Sequence, residues 1–179
     1  MWSSVGFRVA QAIAFTGAAW LSGNMAALSM NAVPSLLRAQ KETNLPLTAT
    51  AKQWREMYEA GKAQNPPIAA LTAAAYVYLA VSSRSTAPLF RAAPYSRAAL
   101  YTTAAILILG IVPFTIVAMS KTNDALLKVA GSNGGSSVAS DEEVERLLHD
   151  WVSLNQVRSF LPFVASLTAI TAAFLSSVN

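Results

Sequence analysis

Residues 98–119 read AALYTTAAILILGIVPFTIVAM, a run without a charged side chain. A helix needs about 20 mainly apolar residues to match a hydrocarbon core roughly 30 Å thick, and this run is long enough. Pro113 removes the hydrogen bond to the Leu109 carbonyl, which predicts a kink beside Gly110. Backbone groups freed at such a kink are tolerated in lipid only where neighbours or a cavity satisfy them again. Outward from this run, stretches 9–30, 65–83 and 158–178 read the same way. The second is marginal and reaches span length only by recruiting Asn65, Pro66 and Pro67, since prolines fit a helix's first turn. The first follows Arg8 and admits a secretory-signal reading. Its length, and the lack of a small-residue cleavage site leading into a soluble domain, favour a span.

Composition points the same way. Of 179 residues, 54% are apolar and 12% charged, about half the charged share of an ordinary soluble domain, and the mean hydropathy is +0.40. These values argue against a soluble enzyme, and they imply a lipid bilayer rather than a nucleic acid as the surrounding partner. The absence of cysteine excludes disulfides, thiolate nucleophiles and cysteine-ligated metal or haem, and a single histidine excludes a site of two imidazoles from one chain. The predicted fold is an all-α integral membrane four-helix bundle forming one domain over 1–179, with an interfacial helix in the first long loop. Its fourth helix extends out of the membrane.

Four spans place both termini on one side. That side, with the 84–97 loop, carries Arg8, Arg84, Arg91 and Arg97 and no acid, which accounts for the whole formal charge of +4. The other side balances its remaining basic residues against Glu42, Glu56, Glu59, Asp124, Asp141, Glu142, Glu143, Glu145 and Asp150. Short basic segments stay in the cytoplasm, so the termini are expected there and the long loops on the lumenal or outer face.

The first long loop, 41–62, is predicted to hold a short helix with a Thr50–Gln53 capping box and a stop at Gly61. Trp54, Met57, Tyr58 and Gly61 share one face of it. That face either anchors the helix at the interface or lids a pocket between the spans. The second long loop contains a Gly/Ser stretch, 131–140, read as a flexible tether. A new helix follows, with Ser140 and Glu143 as its capping box and an acidic first turn, and it runs unbroken to Pro162. At 100° per residue, Asn155 lies about 40° and Arg158 about −20° from Trp151, so the three share a stripe. His149 lies about 160° away, beside Glu145 and Glu142. It reads as a solvated histidine, or as a general base or a metal ligand paired with Glu145. Arg158 opens an apolar run, where a guanidinium either snorkels or meets acceptors inside the bundle. Asn24, within the first span, needs a partner for the same reason.

Four strings together carry a resemblance: LSMNAVPSLL (28–37), WREMYEAGK (54–62), PFTIVAMSKTNDALL (113–127) and WVSLNQVRSFLP (151–162). The chain resembles the DUF1772 membrane family, whose best-known members are the fungal anthrone oxygenases of anthraquinone biosynthesis. The resemblance implies a monooxygenase of polyketide secondary metabolism that oxidises an anthrone to the anthraquinone. Molecular oxygen would be the co-substrate, with no cofactor and no metal. It implies Arg158 and Asn155 as anion stabilisers, Asn123 as an orienting donor, and Trp151, Trp54 and Tyr58 as walls for the flat rings. The base stays unassigned, with His149, a tyrosinate, a carboxylate or solvent all open. The expected location is the endoplasmic reticulum or another endomembrane, with a homo-oligomer possible in principle. A four-span structural or accessory subunit is the alternative from another class. A transporter is disfavoured by the lack of an inverted repeat or an ionisable relay.

Overall fold

The computed structural model describes residues 2–83, 96–132 and 139–175. The loop arginines Arg84 and Arg91, most of the Gly/Ser stretch and the last residues of the fourth expected span lie outside the described residues. Among the described residues every element is helical: α1 Trp2–Ala27, α2 Val33–Thr43, α3 Leu47–Ser82, α4 Arg97–Leu109, α5 Ile111–Phe114, α6 Ser120–Gly131 and α7 Asp141–Phe174. A π-helical turn over Leu28–Ala32 joins α1 to α2, and a second over Thr115–Met119 joins α5 to α6.

Proline explains where the helices are disturbed. Pro34 has no N–H and its ring crowds the carbonyl four residues back. The chain widens one turn ahead of it, and the Val33 N–H bonds to the Leu28 carbonyl. Pro113 acts at the predicted place: α4 ends at Leu109, Gly110 forms a turn, and the helix resumes as α5 before the second π turn. Asn44 closes α2 in the left-handed region at φ 52°, a conformation asparagine tolerates better than most residues.

The first long loop departs from expectation. No separate helix stops at Gly61; α3 runs for 36 residues from Leu47 through Gly61, Pro66 and Pro67 to Ser82. One glycine inside a helix costs only about 1 kcal/mol, too little to end a helix packed on both sides of it. Thr50, three residues inside α3, is buried instead of capping. The second helix start is as read: α7 begins at Asp141, the Glu143 N–H donates to Ser140 Oγ at 3.3 Å, and α7 continues through Pro162.

The chain divides into two compact units. The first comprises Met1–Ser22, Pro66–Ile111 and Phe160–Asn179. Its core mixes many alanines with a few larger side chains: Ala14, Ala18 and Leu21 of α1, Tyr76 and Leu79 of α3, Tyr101, Ala104 and Ile108 of α4, and Ala165 and Ala169 of α7. The small side chains allow close helix approach; a Cβ added at Gly17 would stand 2.1 Å from Thr72 Oγ1. The Gln11 amide donates to the Tyr101 hydroxyl at 2.9 Å. The second unit comprises Gly23–Asn65 and Val112–Ser159. Its core is bulkier, with Trp54, Met119, Leu126, Leu148 and Trp151 among the buried residues. Asn24 finds the partner it needs there, donating to Asn65 Oδ1 at 3.0 Å.

Two helical runs, Arg97–Gly131 and Asp141–Phe174, are long and apolar enough to cross a membrane. Only 28% and 33% of their most apolar windows are buried, so much of that apolar surface points outward, as at Ile106, Leu109 and Val117. The other two expected spans fall on α1 and α3, which are helical but are not among these two runs.

Candidate active site

Asn155 and Arg158 of α7 meet partners from three other helical segments of the second unit. Asn155 is fully buried; its Nδ2 donates to the Met25 carbonyl at 2.8 Å and to Ser29 Oγ at 2.7 Å. Arg158, one turn on, donates from Nη2 to Asn155 Oδ1 and from Nη1 to Thr115 Oγ1 at 3.1 Å. Its Nε is buried and has no partner among the described residues. Among the described residues no carboxylate forms an ion pair with this guanidinium. A buried cation without an anion beside it is costly. An anion brought beside this guanidinium would offset that cost.

Aromatic rings stand one turn further towards the start of α7. Trp151 Nε1 donates to Asn123 Oδ1 at 3.1 Å, which orients both side chains. Trp54 stacks on Tyr58 with centroids 5.1 Å apart and meets Trp151 edge to face at 5.7 Å. The face read from the spacing on α3 thus packs inward, with Met57 and Tyr58 against the same core. Trp54 is fully buried, and its indole N–H also lacks a partner among the described residues. Lys62 Nζ lies 5.9 Å from the Tyr58 ring centroid.

Six of the seven residues singled out in the sequence therefore fall into two hydrogen-bonded sets, Asn155 with Arg158 and Trp151 with Asn123, and an aromatic cluster that includes Trp151. His149 does not join them. It is exposed, with Nε2 3.8 Å from Glu145 Oε1, and Glu145 is tied to Lys41 Nζ at 2.7 Å. The bond from Lys41 holds the Glu145 carboxyl below the usual carboxylate range. A pocket of about 300 Å³ opens here, lined in part by Arg38, Lys41, Glu145 and His149, and shares no residue with the Arg158 set. Among the described residues no group of three or more His, Cys, Asp or Glu is placed to hold a metal ion.

The sequence assigns no role to Ser29, Thr115 or the Met25 carbonyl. Ser29 and Thr115 lie inside two of the strings that carry the resemblance, but nothing in their spacing marks a partner. The signal, visible only in retrospect, is the nearby proline in each case, Pro34 and Pro113, since each marks a disturbed turn.

The anthrone oxygenase family model matches residues 54–168. An anthrone oxygenase of Aspergillus fumigatus is 35% identical over 92% of this chain and 92% of its own length. An anthrone oxygenase of Pestalotiopsis fici is 31% identical over 83% of this chain and 99% of its own. A noranthrone monooxygenase of Aspergillus flavus is 28% identical over 86% of this chain and 68% of its own. No solved structure matches.

Proposed function

This chain belongs to the anthrone oxygenase family, and on that premise we propose that it oxidises a polyketide anthrone to the anthraquinone with molecular oxygen. The observation that carries the reading is the guanidinium of Arg158, held by two hydrogen bonds, without a carboxylate partner among the described residues and with Nε unpaired.

The chemistry needs little beyond that. Loss of a proton from the doubly benzylic carbon gives a delocalised anion whose charge rests largely on oxygen. Donors fixed in advance stabilise such an oxyanion without reorganising. The anion passes one electron to oxygen; the resulting radical pair collapses to a peroxide, which takes up a proton. Loss of the second benzylic proton with cleavage of the O–O bond releases water and leaves the quinone carbonyl. One oxygen atom enters the product and the other leaves as water. Arg158 stabilises the anion with Asn155 behind it, Asn123 orients Trp151, and the buried Trp151 and Trp54 back the half-buried Tyr58, whose ring meets the flat substrate. No resident cofactor takes part; the lack of cysteine and the single histidine leave few ligands for one. His149 is the sequence's candidate base, and its place on the exposed face favours a proton acceptor other than it.

The chain works as a four-span domain over 1–179 in the endoplasmic reticulum or another endomembrane. The four arginines Arg8, Arg84, Arg91 and Arg97, unaccompanied by acids, favour a cytoplasmic side for the termini and the 84–97 loop.

The test is turnover of an anthrone by the purified protein, before and after chelation, and as Arg158→Ala. Turnover that survives chelation and falls by roughly 100-fold or more in the variant is expected. Loss on chelation with recovery on adding a metal overturns the cofactor-free mechanism. Unchanged turnover in Arg158→Ala overturns the assignment of the anion site.

A further inference from the structure

The second unit contains two π turns, Leu28–Ala32 and Thr115–Met119. Such turns are rare, and they occur often at functional sites. Each presents one hydroxyl to the polar pair on α7: Ser29 from the first and Thr115 from the second.

A side-chain amide has two hydrogens to donate and one oxygen to accept with. Both Asn155 hydrogens are occupied, one by the Met25 carbonyl and one by Ser29 Oγ, while Oδ1 accepts from Arg158. The orientation of the amide follows from chemistry, because a carbonyl only accepts and a guanidinium only donates. Ser29 is fixed in turn, its hydroxyl donating to the Met25 carbonyl at 3.4 Å. Asn155 is fully buried and has no hydrogen left for a ligand. Arg158 differs: of five N–H hydrogens, one on each Nη has a partner, and the buried Nε–H has none among the described residues.

We propose that Ser29 and Thr115 are positioning residues of the oxygenase site. Ser29 acts through Asn155 and Thr115 acts directly, and together they set the plane of the Arg158 guanidinium so that its free hydrogens meet the substrate oxyanion. Asn155 is then a positioning residue as well, and Arg158 alone touches the anion. The two π turns supply the contacts: each widened turn carries the hydroxyl that reaches α7. This assignment rests on the oxygenase reading, and its test has an arm independent of turnover.

Thr115→Val and Ser29→Ala remove the hydroxyls, and Thr115→Ser restores one. Each variant is compared with the wild-type protein in detergent for anthrone turnover. Its affinity for two quinones, a dihydroxyanthraquinone in its phenolate form and unsubstituted neutral anthraquinone, is read by quenching of tryptophan emission. Thr115→Val and Ser29→Ala are expected to lower kcat by roughly 10- to 100-fold with KM changed by no more than about 3-fold, because the lost alignment matters most to the charged transition state. Thr115→Val should weaken binding of the phenolate and leave the neutral quinone unchanged, and Thr115→Ser should recover both properties. Wild-type kcat in both deletion variants overturns the proposal. So does equal weakening of the two quinones, or failure of Thr115→Ser to do better than Thr115→Val. If the wild-type protein turns over no anthrone yet Thr115→Val selectively loses the phenolate, the oxygenase reading falls and the positioning assignment stands.

Discussion

Arg158 concentrates the residue-scale argument, since its function depends on geometry as well as on charge. A lysine there keeps the positive charge but has no planar fork to be held by Thr115 and Asn155 at once. Arg158→Lys is therefore expected to retain well under a tenth of wild-type anthrone turnover, as measured by initial rates; near-wild-type rates in that variant mean that charge alone suffices. His149 provides the opposite case. It stands on the exposed face with Glu145 and Lys41, so His149→Ala is expected to keep turnover within about 3-fold of wild type. A loss of orders of magnitude in that variant makes it the base after all. The stripe of Trp151, Asn155 and Arg158 was legible in the sequence because a continuous helix repeats at a fixed angle. The partners Ser29 and Thr115 were not legible, because a residue on another helix has no fixed spacing to α7.

At the scale of elements, prolines and glycines decide where helices bend and how close they come. Pro113 disturbs its helix where predicted, while Gly61 is carried through α3 without a break. A glycine's effect on a helix end depends on the packing around it, which local sequence does not record. Gly17 is the position where absence of a side chain is required, since a Cβ there meets Thr72, whose own hydroxyl is bonded to the Ile68 carbonyl at 2.7 Å. Thr72 is β-branched and stiff, so Gly17→Ala is expected to lower the thermal midpoint in detergent, and adding Thr72→Ala should recover much of the loss. The ion pair of Lys41 on α2 with Glu145 on α7 gives a pH-dependent tie. Its carboxylate is favoured in the folded protein, so its stabilisation is present above the ordinary carboxylate pKa and disappears as pH falls through the lowered value. Glu145→Gln should therefore lower the thermal midpoint slightly at about pH 7, and its difference from the wild type should shrink as the pH falls through the acid range.

For the whole molecule, the distribution of charge and apolar surface governs where the chain resides. The absence of cysteine makes the proposed topology directly testable. Single cysteines introduced as Arg97→Cys and Asp141→Cys in sealed microsomes should differ in reaction with an impermeant thiol reagent. Arg97→Cys should be labelled from the cytoplasmic side, and Asp141→Cys only once the membrane is opened; the reverse pattern inverts the orientation. The amino-acid sequence by itself determined the helical class, the long apolar runs, the course of α7 from Asp141 to Pro162 and the stripe that carries Arg158. These follow from local properties: the 3.6-residue repeat, the length of uncharged runs and the missing N–H of proline. The tertiary structure alone decided that α3 is a single helix and that Asn155 spends one hydrogen on the Met25 carbonyl of α1 and the other on Ser29 of the first π turn. It also decided that Arg158 keeps Nε free while Thr115 and Asn155 hold the rest of the guanidinium. Those outcomes depend on which hydrogen-bonding groups meet across helices distant in sequence, and such meetings are set by packing.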